Sequence, residues 1–190
     1  FNDAVAYFGN VEVGKDVTMD ELRDTYDAVV LAVGAPTDRK LGIPGGDKKG
    51  VYGSADFVGW YNGHPDCTDL NPDLNVGAVA VVGVGNVAID AARVLVKTPA
   101  EMAATDIADH ATKAVQASPL TDVYLFGRRG PIEAKFTNVE LREMGKLENC
   151  MPLVHPAQLP GALTGDWAAR DPRLQTRNLA ARRQFRNADP

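Results

Sequence analysis

The stretch that most constrains this chain is 78–95, Ala-Val-Ala-Val-Val-Gly-Val-Gly-Asn-Val-Ala-Ile-Asp-Ala-Ala-Arg-Val-Leu. Five small apolar residues, Ala78 to Val82, suit a strand buried on both faces. Gly83 and Gly85 interrupt that run, and Val87, Ile89, Ala91, Ala92 and Leu95 then recur at helical spacing. A strand, a Gly-x-Gly-x-x-Ala turn and a helix, in that order, make the corner on which α/β domains hold the pyrophosphate of a dinucleotide. Gly83 would permit the tight turn, Gly85 would let a phosphate approach the backbone, and Ala88 would let the helix pack close on the strand. The first N–H groups of such a helix lack intrahelical partners and present a partial positive charge to the anion.

A second apolar run, Asp122-Val-Tyr-Leu-Phe126, reads as another strand, and Gly127-Arg-Arg-Gly-Pro131 follows it. At this place an NAD site carries an acid for the ribose hydroxyls, whereas Arg128 and Arg129 suit a 2′-phosphate and therefore NADP. A solvated basic turn is the plainer alternative for the pair. The interval between the two halves exceeds the usual ~20 residues, and an inserted helical stretch from Pro99 to Ser118 would account for it. The expected fold class is α/β, a Rossmann-like dinucleotide-binding domain with a parallel sheet.

The composition, 45% hydrophobic and 24% charged, is that of a globular domain, and the net charge of −5 argues against a general nucleic-acid binder. No apolar run is long enough for a transmembrane helix. Cys67 and Cys150 form no Cys-x-x-Cys pair, so neither a common dithiol centre nor a disulfide framework is expected, and a reducing compartment is the default. His64, His110 and His155 lack metal-ligand spacing and read as surface or loop residues. Nothing resembles an acid–base or nucleophilic centre. The chain opens at Phe1 and stops at Asn187-Ala-Asp-Pro190, just after an Arg-rich run, so it is expected to be a piece of a longer protein whose targeting signal lies elsewhere.

Further elements follow from local signals. Val11 to Val13 is a short strand candidate, and Thr18 with Glu21 has the spacing of a capping box that starts a helix through Arg23. Asp27-Ala-Val-Val-Leu-Ala-Val-Gly34 reads as a buried strand. Ser54 is placed to cap a short helix through Phe57 and Trp60, closed by Asn62-Gly63, with Phe57, Trp60 and Tyr61 as core aromatics. Pro65 to Asn75 reads as a polar loop. Thr105 or Asp106 would cap the inserted helix, which Ser118-Pro119 ends. Thr137 to Met144 is helical by periodicity, and Leu174 to Phe185 is a basic helix candidate.

Several segments together carry a more specific likeness. They are Asn10-Val-Glu-Val-Gly-Lys-Asp-Val17, Phe57-Val-Gly-Trp-Tyr-Asn-Gly63, Gly83-Val-Gly-Asn-Val-Ala-Ile-Asp90, Gly127-Arg-Arg-Gly-Pro131 and Phe136-Thr-Asn-Val-Glu-Leu-Arg-Glu143. With them the chain resembles the adrenodoxin-reductase type of ferredoxin–NADP reductase up to about Met151, and the likeness weakens from Leu159 onward. The resemblance implies an FAD-dependent oxidoreductase that moves a hydride between NADPH and FAD and passes single electrons to a ferredoxin. It implies that residues 1–36 are a remnant of an FAD-binding domain and 37–190 a truncated NADP-binding domain, inactive by itself.

By the same resemblance Gly83, Val84, Gly85 and Asn86 form the pyrophosphate turn, with Val84 where relatives often have Gln. Arg128 and Arg129 hold the adenosine 2′-phosphate, and Glu140 is an acid near the nicotinamide-nucleotide side. Val13 touches the FAD adenine through its backbone, and Gly34 and Ala35 match a close approach to cofactor. The arginines from Arg170 to Arg186 would dock an acidic ferredoxin. The resemblance implies the cytoplasm, with the mitochondrial matrix as the alternative. Two other readings stay open: a glutamate-synthase small-subunit-like NADPH oxidoreductase, and a nucleotide-binding module without catalysis.

Overall fold

A computed structural model describes residues 4–35 and 37–159. The Arg-rich stretch from Arg170 to Arg186, with its expected helix from Leu174 to Phe185, lies outside the described residues. The chain divides into two compact units, Phe1–Pro36 and Thr37–Pro190.

The described residues of the first unit contain one helix, α1 (Met19–Thr25), started as expected by a complete capping box. The Thr18 N–H donates to Glu21 Oε2 at 2.8 Å, and the Glu21 N–H donates to Thr18 Oγ1 at 3.2 Å. The carboxylate accepts from the Thr18 N–H and, second, from the Thr18 hydroxyl, and these two bonds hold Glu21 below its ordinary range. Val11 to Val13 is not a strand. Val13 instead forms an isolated bridge with Val17 around a turn in which Gly14 takes φ +98°. The expected strand at 27–34 is also absent: this segment has no ladder, and Val30 and Val33 are each 87% exposed. A strand exists through its hydrogen-bonded neighbour, and no described segment pairs with this one. None of residues 4–35 is buried.

The second unit holds β1 (Ala78–Val82) and β2 (Asp122–Phe126), paired in parallel from Ala78↔Asp122 to Val82↔Phe126. Parallel strands need a long crossover, and α3 (Asn86–Val96), α4 (Pro99–Ala103) and α5 (Asp109–Gln116) supply it. The insertion is thus two helices rather than one. Thr98 starts α4 through a second capping box with Glu101, and Ala108 precedes α5, so neither Thr105 nor Asp106 is a cap. Pro at the first position of α4 costs no hydrogen bond.

α2 (Ser54–Tyr61) precedes the sheet, and α6 (Asn138–Met144) follows it. Ser54 is not the cap of α2 but its first residue. Asp38 does the capping from upstream, accepting from Ser54 Oγ at 2.6 Å and from the Ala55 N–H at 2.7 Å. A Cβ at the N-cap residue, Gly53, would run into the Asp38 carboxylate.

Among the described residues two apolar clusters form the core, and α3 contributes to both. Ile89 and Ala92 pack with Ala134, Phe136, Leu141 and Met144, and Val81, Val84 and Val123 adjoin them. Leu95 packs with Trp60, Leu74, Met102, Ala111 and Val115, and Phe57, Tyr61 and Val79 adjoin these. The aromatics of α2 are core residues, as expected. Val87 departs from the expected helical stripe and is exposed. The strand β1 departs from expectation too: only Val79 and Val81 are half-buried, and Ala78, Ala80 and Val82 are exposed. The described helices pack against the Val79–Val81 face, and the register puts Tyr124 and Phe126 with Ala80 and Val82 on the other. The polar loop after α2 contains a turn of 3₁₀ helix, Pro65–Cys67, and buries Leu74.

Candidate functional site

The carboxyl ends of β1 and β2 lie side by side, the place where open α/β sheets take their ligands. One hydrogen bond, from Gly83 N–H to the Phe126 carbonyl at 2.9 Å, carries the pairing past the end of β1. The chain then turns at Gly83, whose φ of +153° is open to glycine and costly for other residues. A Cβ on Gly83 would lie 3.4 Å from Ala88 Cβ, so the small residue at 88 does set how closely helix and strand approach. Gly85 is the N-cap of α3, with no side chain capping the helix. A Cβ at Gly85 would meet nothing within 4 Å, so the space beside its backbone is open. The turn therefore offers uncapped helix N–H groups and room for an anion against the backbone.

The segment that follows β2 braces this turn. The Lys135 N–H donates to the Val84 carbonyl at 2.8 Å, and the Thr137 N–H donates to Asn86 Oδ1 at 2.8 Å. Val84 packs against the core through its side chain, and a Cβ on Gly127 would come within 2.9 Å of Val84 Cγ1. A valine here is thus used for packing, while the backbone of the turn stays available. Arg93 ties the helices together further along: it reaches Asp90 on its own helix at 3.0 Å and Glu143 of α6 at 2.6 Å. Such a half-buried bridge fixes the spacing of α3 and α6 below the site.

The structure brings most of the expected site residues to this one end of the sheet. Gly83, Val84, Gly85 and Asn86 form the turn; Arg128 and Arg129 follow Gly127 directly, both exposed. Neither arginine is ion-paired with a carboxylate among the described residues. Glu140 is the third residue of α6, beside the turn that Asn86 braces. Its Oε2 is buried and accepts no hydrogen bond among the described residues. A buried polar oxygen without a partner costs ~1–3 kcal/mol, and such a group calls for an explanation. Val13 lies in the first unit, where its only described pairing is the bridge to Val17.

Sequence reasoning missed Asn86 as a brace, because the bond joins residues 51 apart in the chain. It also missed Asp38. The three histidines serve the backbone: His64 Nδ1 accepts from the Asp66 N–H, His155 Nδ1 from the Ala157 N–H, and His110 Nε2 lies 2.8 Å from the Trp60 carbonyl oxygen. No group of His, Cys, Asp and Glu suited to a metal occurs among the described residues. Both cysteines are free, and burial, with the Glu101 carboxylate second, pushes the Cys150 thiol above its usual range, which makes it a poor nucleophile.

A parallel strand pair, a glycine turn into an uncapped helix and a basic second strand end define a dinucleotide-binding α/β unit. The chain belongs to the pyridine nucleotide-disulphide oxidoreductase family, whose model matches residues 4–124. It is 44% identical over 184 residues to the NADPH-ferredoxin reductase FprA of Mycobacterium tuberculosis, across 97% of this chain and 40% of that protein. It is 49% identical over 149 residues to the mitochondrial NADPH:adrenodoxin oxidoreductase of Arabidopsis thaliana, across 78% of this chain and 31% of that one. The structure of M. tuberculosis FprA in complex with NADPH superposes with a TM-score of 0.82 at 43% identity, over 95% of this chain and 40% of the other. The resemblance read from the sequence is thus confirmed, and so is the α/β fold. The chain spans less than half the length of these relatives. No helix among the described residues is long and apolar enough to cross a membrane.

Proposed function

We propose that this chain supplies the NADP-binding part of an FAD-dependent ferredoxin–NADP(+) oxidoreductase. In this reading residues 37–190 belong to the NADP-binding domain, and residues 1–36, with Val13 near the FAD adenine, belong to the FAD-binding domain. The observation that carries the reading is the pair Arg128–Arg129, exposed and unpaired among the described residues, one step beyond the glycine that packs on the pyrophosphate turn. Two guanidinium groups with no carboxylate partner are suited to a 2′-phosphate, which a planar fork can hold with two hydrogen bonds.

The residues present fit the nucleotide. The open space at Gly85 accommodates a pyrophosphate against the backbone, and the uncapped N–H groups of α3 can donate to it. Glu140, with its buried unpartnered oxygen, can accept from a hydroxyl or amide of the nicotinamide half. When bound, NADPH and FAD supply the hydride and electron chemistry; the chain's residues bind and orient. An iron–sulfur protein of the ferredoxin class is the electron partner in this reading, and the cytoplasm is its compartment.

The test is to purify the full-length protein and record its absorbance and its reduction of a ferredoxin. A stoichiometric flavin spectrum with NADPH-driven ferredoxin reduction, and much slower turnover with NADH, is expected. A protein without flavin, or one indifferent to the two nucleotides, would overturn the reading.

A further inference from the structure

Three segments of this chain have the Thr-x-x-Glu pattern of a capping box directly before a helix: Thr18 with Glu21, Thr98 with Glu101, and Thr137 with Glu140. The first two close. The Thr18 N–H donates to Glu21 Oε2 and the Thr98 N–H to Glu101 Oε2, each at 2.8 Å. The third does not close, although Thr137 is the N-cap of α6 and Glu140 stands at the right position. The Thr137 N–H donates instead to Asn86 Oδ1, at the same 2.8 Å. Glu140 Oε2 is left buried and without a partner among the described residues.

We propose that Asn86 is a positioning residue: by accepting the Thr137 N–H it occupies the donor that Glu140 would otherwise take, and so keeps the Glu140 carboxylate free for a hydroxyl or amide donor of a bound nucleotide. The donor is single and the acceptors compete. An N–H satisfied by a neutral amide oxygen from α3 no longer draws the carboxylate back onto its own helix end. The bond has a second effect, since it fixes the first turn of α6 against the first residue of α3. The nucleotide turn and the acid are thereby held by one side chain. The inference rests on the proposed nucleotide role of Glu140, and its test separates the two.

The experiment uses the full-length protein with Asn86→Ala, Glu140→Ala and the double variant. Amide hydrogen exchange at Thr137 is read without ligand, and NADP+ and 2′,5′-ADP are the binding probes. In Asn86→Ala the carboxylate is expected to close the box, so Thr137 stays protected; in the double variant the same amide exchanges freely. Asn86→Asp, which keeps an acceptor oxygen, preserves protection even when Glu140 is alanine. Each single variant should weaken NADP+ by about tenfold, and the double variant by no more, because both changes remove one contact. Binding of 2′,5′-ADP, which lacks the nicotinamide half, should hold within about twofold in Glu140→Ala and should fall by less than NADP+ does in Asn86→Ala.

Free exchange at Thr137 in Asn86→Ala, equal to that of the double variant, would overturn the competition. So would additive losses of NADP+ affinity, or an equal loss of 2′,5′-ADP, which would make Asn86 a direct phosphate contact. Unchanged NADP+ binding in Glu140→Ala would overturn the nucleotide role of Glu140 and the inference with it, while leaving the exchange result as a separate fact about the helix end.

Discussion

Asp27-Ala-Val-Val-Leu-Ala-Val-Gly34 and Ala78-Val-Ala-Val-Val-Gly83 are nearly the same kind of sequence, yet only the second forms a strand. β1 has a parallel neighbour in β2, and its Val79 and Val81 lie against the two core clusters. The segment at 27–34 has neither a ladder nor a cluster among the described residues. An apolar β-branched run is a capacity to pair, and it becomes a strand when a neighbour supplies hydrogen bonds and a helix layer supplies cover. The two regions also divide the site residues. Those of the second unit converge on one sheet end, whereas Val13 stays among exposed residues of the first.

Phe136 is buried in the cluster beside Val81, so Phe136→Ala should destabilise the second unit by about 3–5 kcal/mol, read from urea unfolding of the 190-residue chain. Val30→Ala in the same chain should change the unfolding free energy by less than ~0.5 kcal/mol, because Val30 is exposed. Similar losses from both would mean that the first unit has a core of its own. Next, Gly127→Ala brings a Cβ within 2.9 Å of Val84 Cγ1 and should cost about 1–3 kcal/mol. Most of that cost should vanish when measured against a Val84→Ala background. A cost that persists there would show that the glycine serves backbone geometry at the end of β2 rather than packing.

Hydrogen bonds from Thr98, its backbone N–H first, hold the Glu101 carboxyl below its ordinary value of 4.5, as those from Thr18 do for Glu21. A lowered folded-state value means stability that is fully present above the ordinary carboxylate range and is lost as pH falls through the folded value. Glu101→Gln should therefore flatten part of the decline in the unfolding midpoint below about pH 4.5. Glu21→Gln should change the helicity of α1 and little else, since no residue of that helix is buried. An equal response of the unfolding midpoint to both would join the two regions into one cooperative unit.

What was legible in the sequence was local. β1, the turn at Gly83–Asn86, β2, the Thr18 box and the α6 helix could all be read within windows of a few residues, where glycine, capping and periodicity act. What was not legible depends on partners far along the chain. Asp38 caps α2 from 16 residues away, and Asn86 takes the Thr137 N–H from 51 away, so a Thr-x-x-Glu pattern that looks complete stays open. The exposed faces of β1 and of 27–34 were misread for the same reason. Burial belongs to the layer above a strand, and no window on the strand itself contains it.

In the proposed function the end of this sheet reads the 2′-phosphate through Arg128 and Arg129. The direct test is the binding of NADP+ and NAD+ to the full-length protein with and without Arg129→Ala, by titration calorimetry at fixed salt. Loss of a charge-assisted phosphate contact should weaken NADP+ by about ten- to a hundredfold. NAD+ should stay within about twofold of its starting affinity, since it has no 2′-phosphate to lose. Equal weakening of both nucleotides, or no weakening of NADP+, would contradict the account.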